Sequence, residues 1–221
     1  MKICPISDLH GYLPTNIEPC DVVVIAGDIV PLTIQRLALE SSQWFINEFI
    51  PWALDLPCEK VIFIAGNHDF WLNRWTWREI QPESDKLVYL EDDAYEYGGL
   101  TFYGTPWITG LRGWAFCTDN ESRYFDNIPE NVDVFISHAP CFDNKTGQVL
   151  QKNQFNTGAD YGSKVLEDYV LNKRNIRYMF SGHIHSGEHK MKLWNNKTYV
   201  KCCSLKDENY KVVYNIEYFD I

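Results

Sequence analysis

The amino-acid sequence predicts a mixed α/β fold in which parallel β-α-β units are followed by a hairpin-rich C-terminal third. Three observations carry this prediction. Short, continuous apolar runs rich in β-branched residues recur along the chain, each stopped by Gly, Ser or Asp. Helical patterns lie between them, and turn-forming Gly-Gly and Asn-Asn pairs punctuate two later stretches. The 221 residues fit one domain, residues 1–221, with a core large enough to stand without disulfide staples.

Taken in order, residues 2–7, 21–26 (DVVVIA), 60–65 (KVIFIA), 132–137 (VDVFIS) and 177–181 (RYMFS) read as strands buried on both faces. Ile34, Leu37, Ala38, Ser41, Phe45 and Phe49 follow the spacing of one helix face, with Thr33 as cap and Pro51 as stop. A second helix is expected over residues 163–173, burying Val165, Leu166, Tyr169 and Val170. Residues 95–103, around Gly98-Gly99, and residues 188–218, turning near Asn195-Asn196, read as antiparallel strands. The Gly- and Asn-rich stretch 142–162 is the longest candidate loop and an expected wall of the functional site.

Composition narrows the function classes. With 20 Lys and Arg against 30 Asp and Glu, the formal charge of −10 argues against a broad basic face for duplex DNA or anionic lipid. No run of 18 uncharged apolar residues occurs, and Asp8 interrupts the opening segment, so an unexported chain with no membrane association is expected. The seven cysteines are odd in number and form no CxxC pair, which fits buried thiols in a reducing, cytoplasmic setting. The neighbours Cys202 and Cys203 are expected on opposite faces of a strand.

The chemistry is written at the strand ends. The five buried runs lead respectively into Asp8-Leu9-His10, Gly27-Asp28, Gly66-Asn67-His68-Asp69, His138 and Gly182-His183-Ile184-His185. In α/β sheets the carboxyl ends of the strands line one crevice, so these distant residues are expected to converge. Oxygen and imidazole donors without thiolate suit Mn, Fe, Zn or Ni. Asp8, His10, Asp28, Asn67, His138, His183 and His185, with one carboxylate oxygen shared, offer more donors than one ion takes. Two divalent ions with a bridging Asp satisfy the count, as in centres whose ions lie about 3.5–4 Å apart. Glycines at 27, 66 and 182 let the backbone turn sharply beside the ions.

These motifs, D-x-H, G-D, G-N-H-D, a lone His and G-H-x-H in that order, resemble the calcineurin-like metallophosphoesterases. Residues 102–116 (FYGTPWITGLRGWAF) are also similar to a compact subgroup of that superfamily that includes cyclic-nucleotide-type phosphodiesterases. The resemblance implies a four-layer α-β-β-α sandwich of two mixed sheets. It places Asp8, His10 and His185 on one metal and Asn67, His138 and His183 on the other, with Asp28 bridging. It leaves His68 uncoordinated and gives Asp69 a structural role.

The expected activity is phosphodiester hydrolysis, on small or cyclic nucleotides, by in-line attack of a metal-bridging hydroxide with His68 assisting the leaving oxygen. Phosphomonoesterase activity on the same centre is the alternative, and a non-catalytic interaction module on this scaffold a further one. Trp107 and Arg112, an aromatic and a cation in the hairpin segment 102–116, are the candidate substrate contacts; Trp114 lies in the same segment, and Phe70, Trp71, Trp75 and Trp77 follow the third motif. Diesters are favoured because the motif-adjacent segments offer few cations, namely Arg74, Arg78, Arg112 and Lys145. His189 is expected to be structural and Cys141 to take no part in catalysis.

Overall fold

The computed structural model describes residues 1–142, 146–149 and 159–221. Four strands come first: β1 (Lys2–Ile6), β2 (Val22–Ala26), β3 (Lys60–Ile64) and β4 (Leu87–Tyr89). They are followed by β5 (Asp93–Tyr97), β6 (Leu100–Thr105), β7 (Asn131–Ser137), β8 (Asn175–Ser181), β9 (Lys192–Trp194), β10 (Thr198–Cys202) and β11 (Phe219–Asp220). They form a five-stranded sheet of order β11-β1-β2-β3-β4 and a six-stranded sheet of order β5-β6-β7-β8-β10-β9. In the first, β1 to β4 are parallel and β11 runs antiparallel. In the second, β6, β7, β8 and β10 are parallel and β5 and β9 antiparallel.

Strand periodicity divides the apolar side chains between layers. Ile3, Val22, Val24, Ile62 and Ile64 face Phe102, Val134, Ile136 and Phe180 of the other sheet and fill the space between the sheets. Their neighbours Cys4, Val23, Val61 and Phe63 point the opposite way, onto Phe45, Phe49 and Trp77 of the outer helices. On the far side, Phe135, Ile176 and Met179 pack on Leu166, Tyr169 and Val170. The result is the expected four-layer α-β-β-α sandwich.

The first helix departs from expectation at both ends. Thr33 caps nothing: α1 (Ala38–Trp44) starts after Leu37, which supplies no side-chain cap. Nor does Pro51 stop it, because a wide turn over Phe45–Phe49, closed by the Ile50 N–H on the Phe45 carbonyl, leads directly into α2 (Ile50–Asp55). The wide turn takes the strain of the proline ring, and Pro51 sits in the first turn of α2, where a missing N–H costs little. Then α3 (Arg74–Ile80) is opened by a capping box between Asn73 and Thr76, and α4 (Ser122–Phe125) is a single turn. The second expected helix is α5 (Lys164–Asp168), capped by Ser163 and continued as a wide turn over Tyr169–Lys173, with Val165 half-buried.

The C-terminal third also differs. After β8, within the fully described residues 188–221, only β9, β10 and the short β11 are strands; residues 203–218 form a loop whose carbonyls and side chains reach the crevice described below. His189 lies outside any strand, its Nε2–H donating to the His185 carbonyl at 2.9 Å and its ring stacked on Tyr214. All seven cysteines are free thiols. Cys203 packs between the sheets, while the Cys202 thiol donates to the Ile184 carbonyl on the other side. Among the described residues, no helix is long and apolar enough to cross a membrane.

Candidate metal centre

The carboxyl ends of the parallel strands of both sheets open onto one crevice. Asp8 follows β1, Asp28 follows β2 and Asn67 follows β3, while His138 follows β7 and His183 and His185 follow β8. The His183 N–H donates to Asp8 Oδ1 at 3.1 Å, tying the end of one sheet to the end of the other. The sharp turns are enforced by the backbone: Asp8, His10, Asp28 and His183 have φ of 54°, 41°, 55° and 67°, left-handed values that cost non-glycine residues on the order of 1–3 kcal/mol each. Side chains are excluded beside them. A Cβ on Gly66 would sit 2.7 Å from His138 Cε1, and one on Gly182 would sit 2.7 Å from Asp8 Oδ2.

The structure brings all seven residues singled out as metal ligands together. Asn67 Oδ1 lies 2.9 Å from His138 Nε2 and 2.8 Å from His183 Nδ1. Asp28 Oδ2 is 3.4 Å from His138 Nε2 and 3.8 Å from His10 Nε2. At the other end His185 Nε2 is 3.4 Å from both Asp8 Oδ1 and His10 Nε2. Three groups of donors, Asp8-His10-His185, His10-Asp28-His68 and Asp8-Asp28-His138, each lie within 4.8 Å of one another. His68 joins the second of these, its Nε2 3.8 Å from Asp28 Oδ2.

Two ring orientations are set by backbone carbonyls, which only accept. His138 Nδ1–H donates to Ala26 O at 2.8 Å and His185 Nδ1–H to Asp207 O at 2.9 Å, leaving each Nε2 aimed into the crevice. These carbonyl partners leave no mark in the sequence, because any residue type carries one. Asp69 plays the structural part expected of it: its carboxylate accepts the N–H groups of Ile29, Val30 and Gly66 at 2.8–3.2 Å.

Charge is concentrated here at a desolvation cost. Burial pulls His138 and His185 toward neutrality, but Asp28 beside the first and Asp8 beside the second hold both at about 9. Burial lowers His10 and His183 to about 3. It opposes ionisation of Asp8 and Asp28 as well, yet the charges of His185 and His138 hold both carboxylates below their usual range. Burial and the nearby Asp28 charge push Asp69 up to about 7. Asp8 Oδ2 and His10 Nδ1 are buried without a hydrogen-bond partner. A divalent cation would satisfy that carboxylate oxygen and replace the two histidine protons, so the donor set fits the metal chemistry expected of it.

Beside these residues is a cleft of about 220 Å³, walled by His68, Trp114, Leu111, Glu208 and Tyr210. Trp114 packs on His68 with ring centroids 4.5 Å apart, and the Tyr210 ring stands edge-on to His10 and His185. Trp107 and Arg112 are not among its lining. The Trp107 indole donates to Asp92 at 2.7 Å and stacks on Tyr124, while the Arg112 side chain is 90% exposed and pairs with Asp119. Lys145 lies outside the described residues. Of the long loop, Val149, Tyr161 and Gly162 line an adjoining groove that shares Leu111, His183 and Glu208 with the cleft. Tyr210 and Glu208 went unread in the sequence, although the Asp-Glu-Asn run at 207–209 is a turn signal that marks a loop rather than a strand.

Comparison with known proteins agrees with this geometry. The chain is 29% identical over 161 residues to human "Metallophosphoesterase domain-containing protein 1", covering 61% of this chain and 47% of that protein. It is 30% identical over 205 residues to "UPF0046 protein T07D4.2" of Caenorhabditis elegans, covering 78% and 48%. The chain therefore spans about half the length of these relatives. A solved structure shares the fold with a TM-score of 0.61 at 13% identity, over 90% of this chain and 89% of its own. The family model for calcineurin-like phosphoesterases matches residues 1–187, a span that includes every one of the converging strand ends, and the chain belongs to that family.

Proposed function

We propose that the chain is a metal-dependent phosphoesterase that prefers phosphodiesters, with small nucleotides as the substrate class. The observation that carries the hydrolase reading is the convergence of Asp8, His10, Asp28, Asn67, His138, His183 and His185, all from strand ends, around buried oxygens and nitrogens that lack enough partners of their own. Divalent ions held there supply an acidified water and neutralise phosphate oxygens. The chain's own residues do the rest. Asp28 reaches both halves of the donor set, His68 presents Nε2 to the cleft where a leaving oxygen departs, and Trp114 with Tyr210 screens that face from water.

The diester preference rests on charge. Among the described residues the cleft is lined by no Lys or Arg, and it includes the carboxylate of Glu208. A monoester dianion would bring a second negative charge against that wall, whereas a diester brings one and an additional ester group. The adjoining groove, about 550 Å³ and bordered by Leu111, Val149, Tyr161 and Ile184, offers space for that second group. Hydrolysis of matched nucleotide monoesters, linear diesters and cyclic diesters by chelator-stripped protein, before and after restoring Mn, Fe, Zn or Ni, tests the reading. Activity is expected only with metal and to be higher on diesters. Equal activity without metal overturns the metal mechanism, and a tenfold advantage for monoesters overturns the diester preference.

A further inference from the structure

We propose that Gln35 is the positioning residue for His68: its side-chain oxygen holds the proton on Nδ1 and so turns Nε2 toward the cleft. The inference rests on the phosphoesterase reading for its catalytic consequence, but not for its geometry. Gln35 Oε1 is in hydrogen-bond contact with His68 Nδ1. An amide oxygen only accepts, so this contact requires Nδ1–H. The opposite ring nitrogen then faces Asp28 Oδ2 at 3.8 Å, and it is the atom open to exchange a proton with a substrate.

The His68 backbone is already fixed by its N–H bond to Asp28 Oδ1 at 2.8 Å. What remains free is rotation of the ring about its side-chain torsions. Trp114 on one side and the edge of His10, 4.7 Å between centroids, limit its plane, but flat contacts do not distinguish one ring nitrogen from the other. Among the described residues the Gln35 oxygen is the acceptor within hydrogen-bond distance of a His68 ring nitrogen, the Asp28 carboxylate lying farther off at 3.8 Å from the other. Gln35 is itself held by its neighbour. The Arg36 guanidinium donates twice to the Gly113 carbonyl at 3.3 Å and lies 4.1 Å from the Phe70 ring centroid and 5.1 Å from that of Trp114. The turn bearing Gln35 and the loop bearing Trp114 are therefore tied together around His68. A neutral acceptor also suits the place, because Asp8, Asp28 and Asp69 already crowd the centre with buried carboxyl groups.

The test uses the full chain. Long-range ¹H–¹⁵N correlation spectra of zinc-loaded protein are expected to show the neutral His68 ring as the Nδ1–H tautomer. Gln35→Met keeps the size and removes the acceptor; it is expected to shift the ring toward Nε2–H with metal content and Tm unchanged. It should lower kcat on an ester with a poor leaving group by about 10–100-fold at constant KM, the usual loss for a removed outer partner. Gln35→Glu is expected to restore the tautomer and most of the rate, and Gln35→Met should add nothing in a His68→Ala background. An Nε2–H tautomer in the unmodified protein, or a full additional loss in the His68→Ala background, overturns the inference. An unmodified protein that hydrolyses no phosphate ester with any metal overturns the phosphoesterase reading instead and leaves the tautomer result standing.

Discussion

Asp28 Oδ2 lies 3.4 Å from His138 Nε2, and this pair joins the carboxyl edge of one sheet to that of the other. The same carboxylate is 3.8 Å from both His10 and His68, and its second oxygen accepts the His68 N–H. His10 stands at the Asp8 and His185 end of the donor set and meets Asp28 and His68 there, away from the Asn67, His138 and His183 side that Asp28 also reaches. Asp28→Ala is therefore expected to lose more activity and more bound metal than His10→Ala. Metal analysis of both purified variants checks this, and normal metal content and affinity in Asp28→Ala would refute the expected bridging role.

Two adjacent residues should separate ligation from catalysis. Asn67 offers its oxygen to the His138 and His183 side of the crevice, whereas His68 faces the cleft. Asn67→Ala is expected to weaken metal occupancy. His68→Ala is expected to retain metal and lower turnover by about 10²–10⁴-fold, with a smaller loss for nitrophenolate, which leaves without a proton. An equal loss for good and poor leaving groups would make His68 a charge-stabilising residue rather than an acid.

Asp69 is a stability residue inside the motif. Removing its carboxylate leaves the buried N–H groups of Ile29, Val30 and Gly66 without their acceptor, at on the order of 1–3 kcal/mol each. Urea denaturation of metal-free Asp69→Ala should show a loss of several kcal/mol with an unchanged slope. A change within 0.5 kcal/mol, taken as about the noise of a surface substitution, would mean the turn holds itself without Asp69.

Glycine placement makes a matched comparison. A Cβ at Gly66 would lie 2.5 Å from the Asp28 backbone nitrogen and 2.7 Å from His138 Cε1, so Gly66→Ala must push ligands apart. At Gly99, with φ of +79°, a Cβ meets nothing within 4 Å, and Gly99→Ala bears only the left-handed backbone penalty of about 1 kcal/mol. Calorimetric titration with Mn or Zn is expected to show at least a tenfold weaker metal affinity in Gly66→Ala and none of that change in Gly99→Ala.

How much of this was legible in the sequence follows from the range of each interaction. The five central strands and the polar donors at their ends were readable because burial on both faces forces continuous apolar runs, and the polar residues that end each run are the ones that line the crevice. The helix over residues 38–55 was misread at Pro51 because a wide turn, invisible in apolar spacing, absorbs the proline. β4 was passed over because three residues, Leu87 to Tyr89, carry too little pattern. Gln35, Glu208 and Tyr210 reach the centre from loops, where position depends on tertiary contacts such as Arg36 with Gly113 and Asp207 with His185. Trp107 shows the reverse case: its sequence position suggested a substrate contact, while the indole N–H is already bonded to Asp92.

The walls of the cleft, finally, set the expectation for substrate recognition. Tyr210 holds φ of 60° and is 40% exposed, an unusual backbone for an aromatic residue, which presents its ring beside His10 and His185 rather than to the core. Trp114 covers the other side of His68. A nucleotide base placed between the centre and these rings would gain stacking of about 1–3 kcal/mol, which a small methyl nitrophenyl diester seated at the metals would gain to a lesser extent. Tyr210→Asn removes the ring and keeps a residue suited to left-handed backbone. It is expected to raise KM for a nucleotide diester by about 5–50-fold, with a smaller change for the nitrophenyl diester and unchanged metal content. Trp107→Ala is expected to lower Tm through the lost Asp92 and Tyr124 contacts, and Arg112→Ala, at a 90% exposed side chain, to leave Tm unchanged. Steady-state kinetics on the two substrates with all three variants decides the matter: a KM effect confined to Trp107→Ala or Arg112→Ala would move the recognition surface to the 102–116 segment, away from Tyr210.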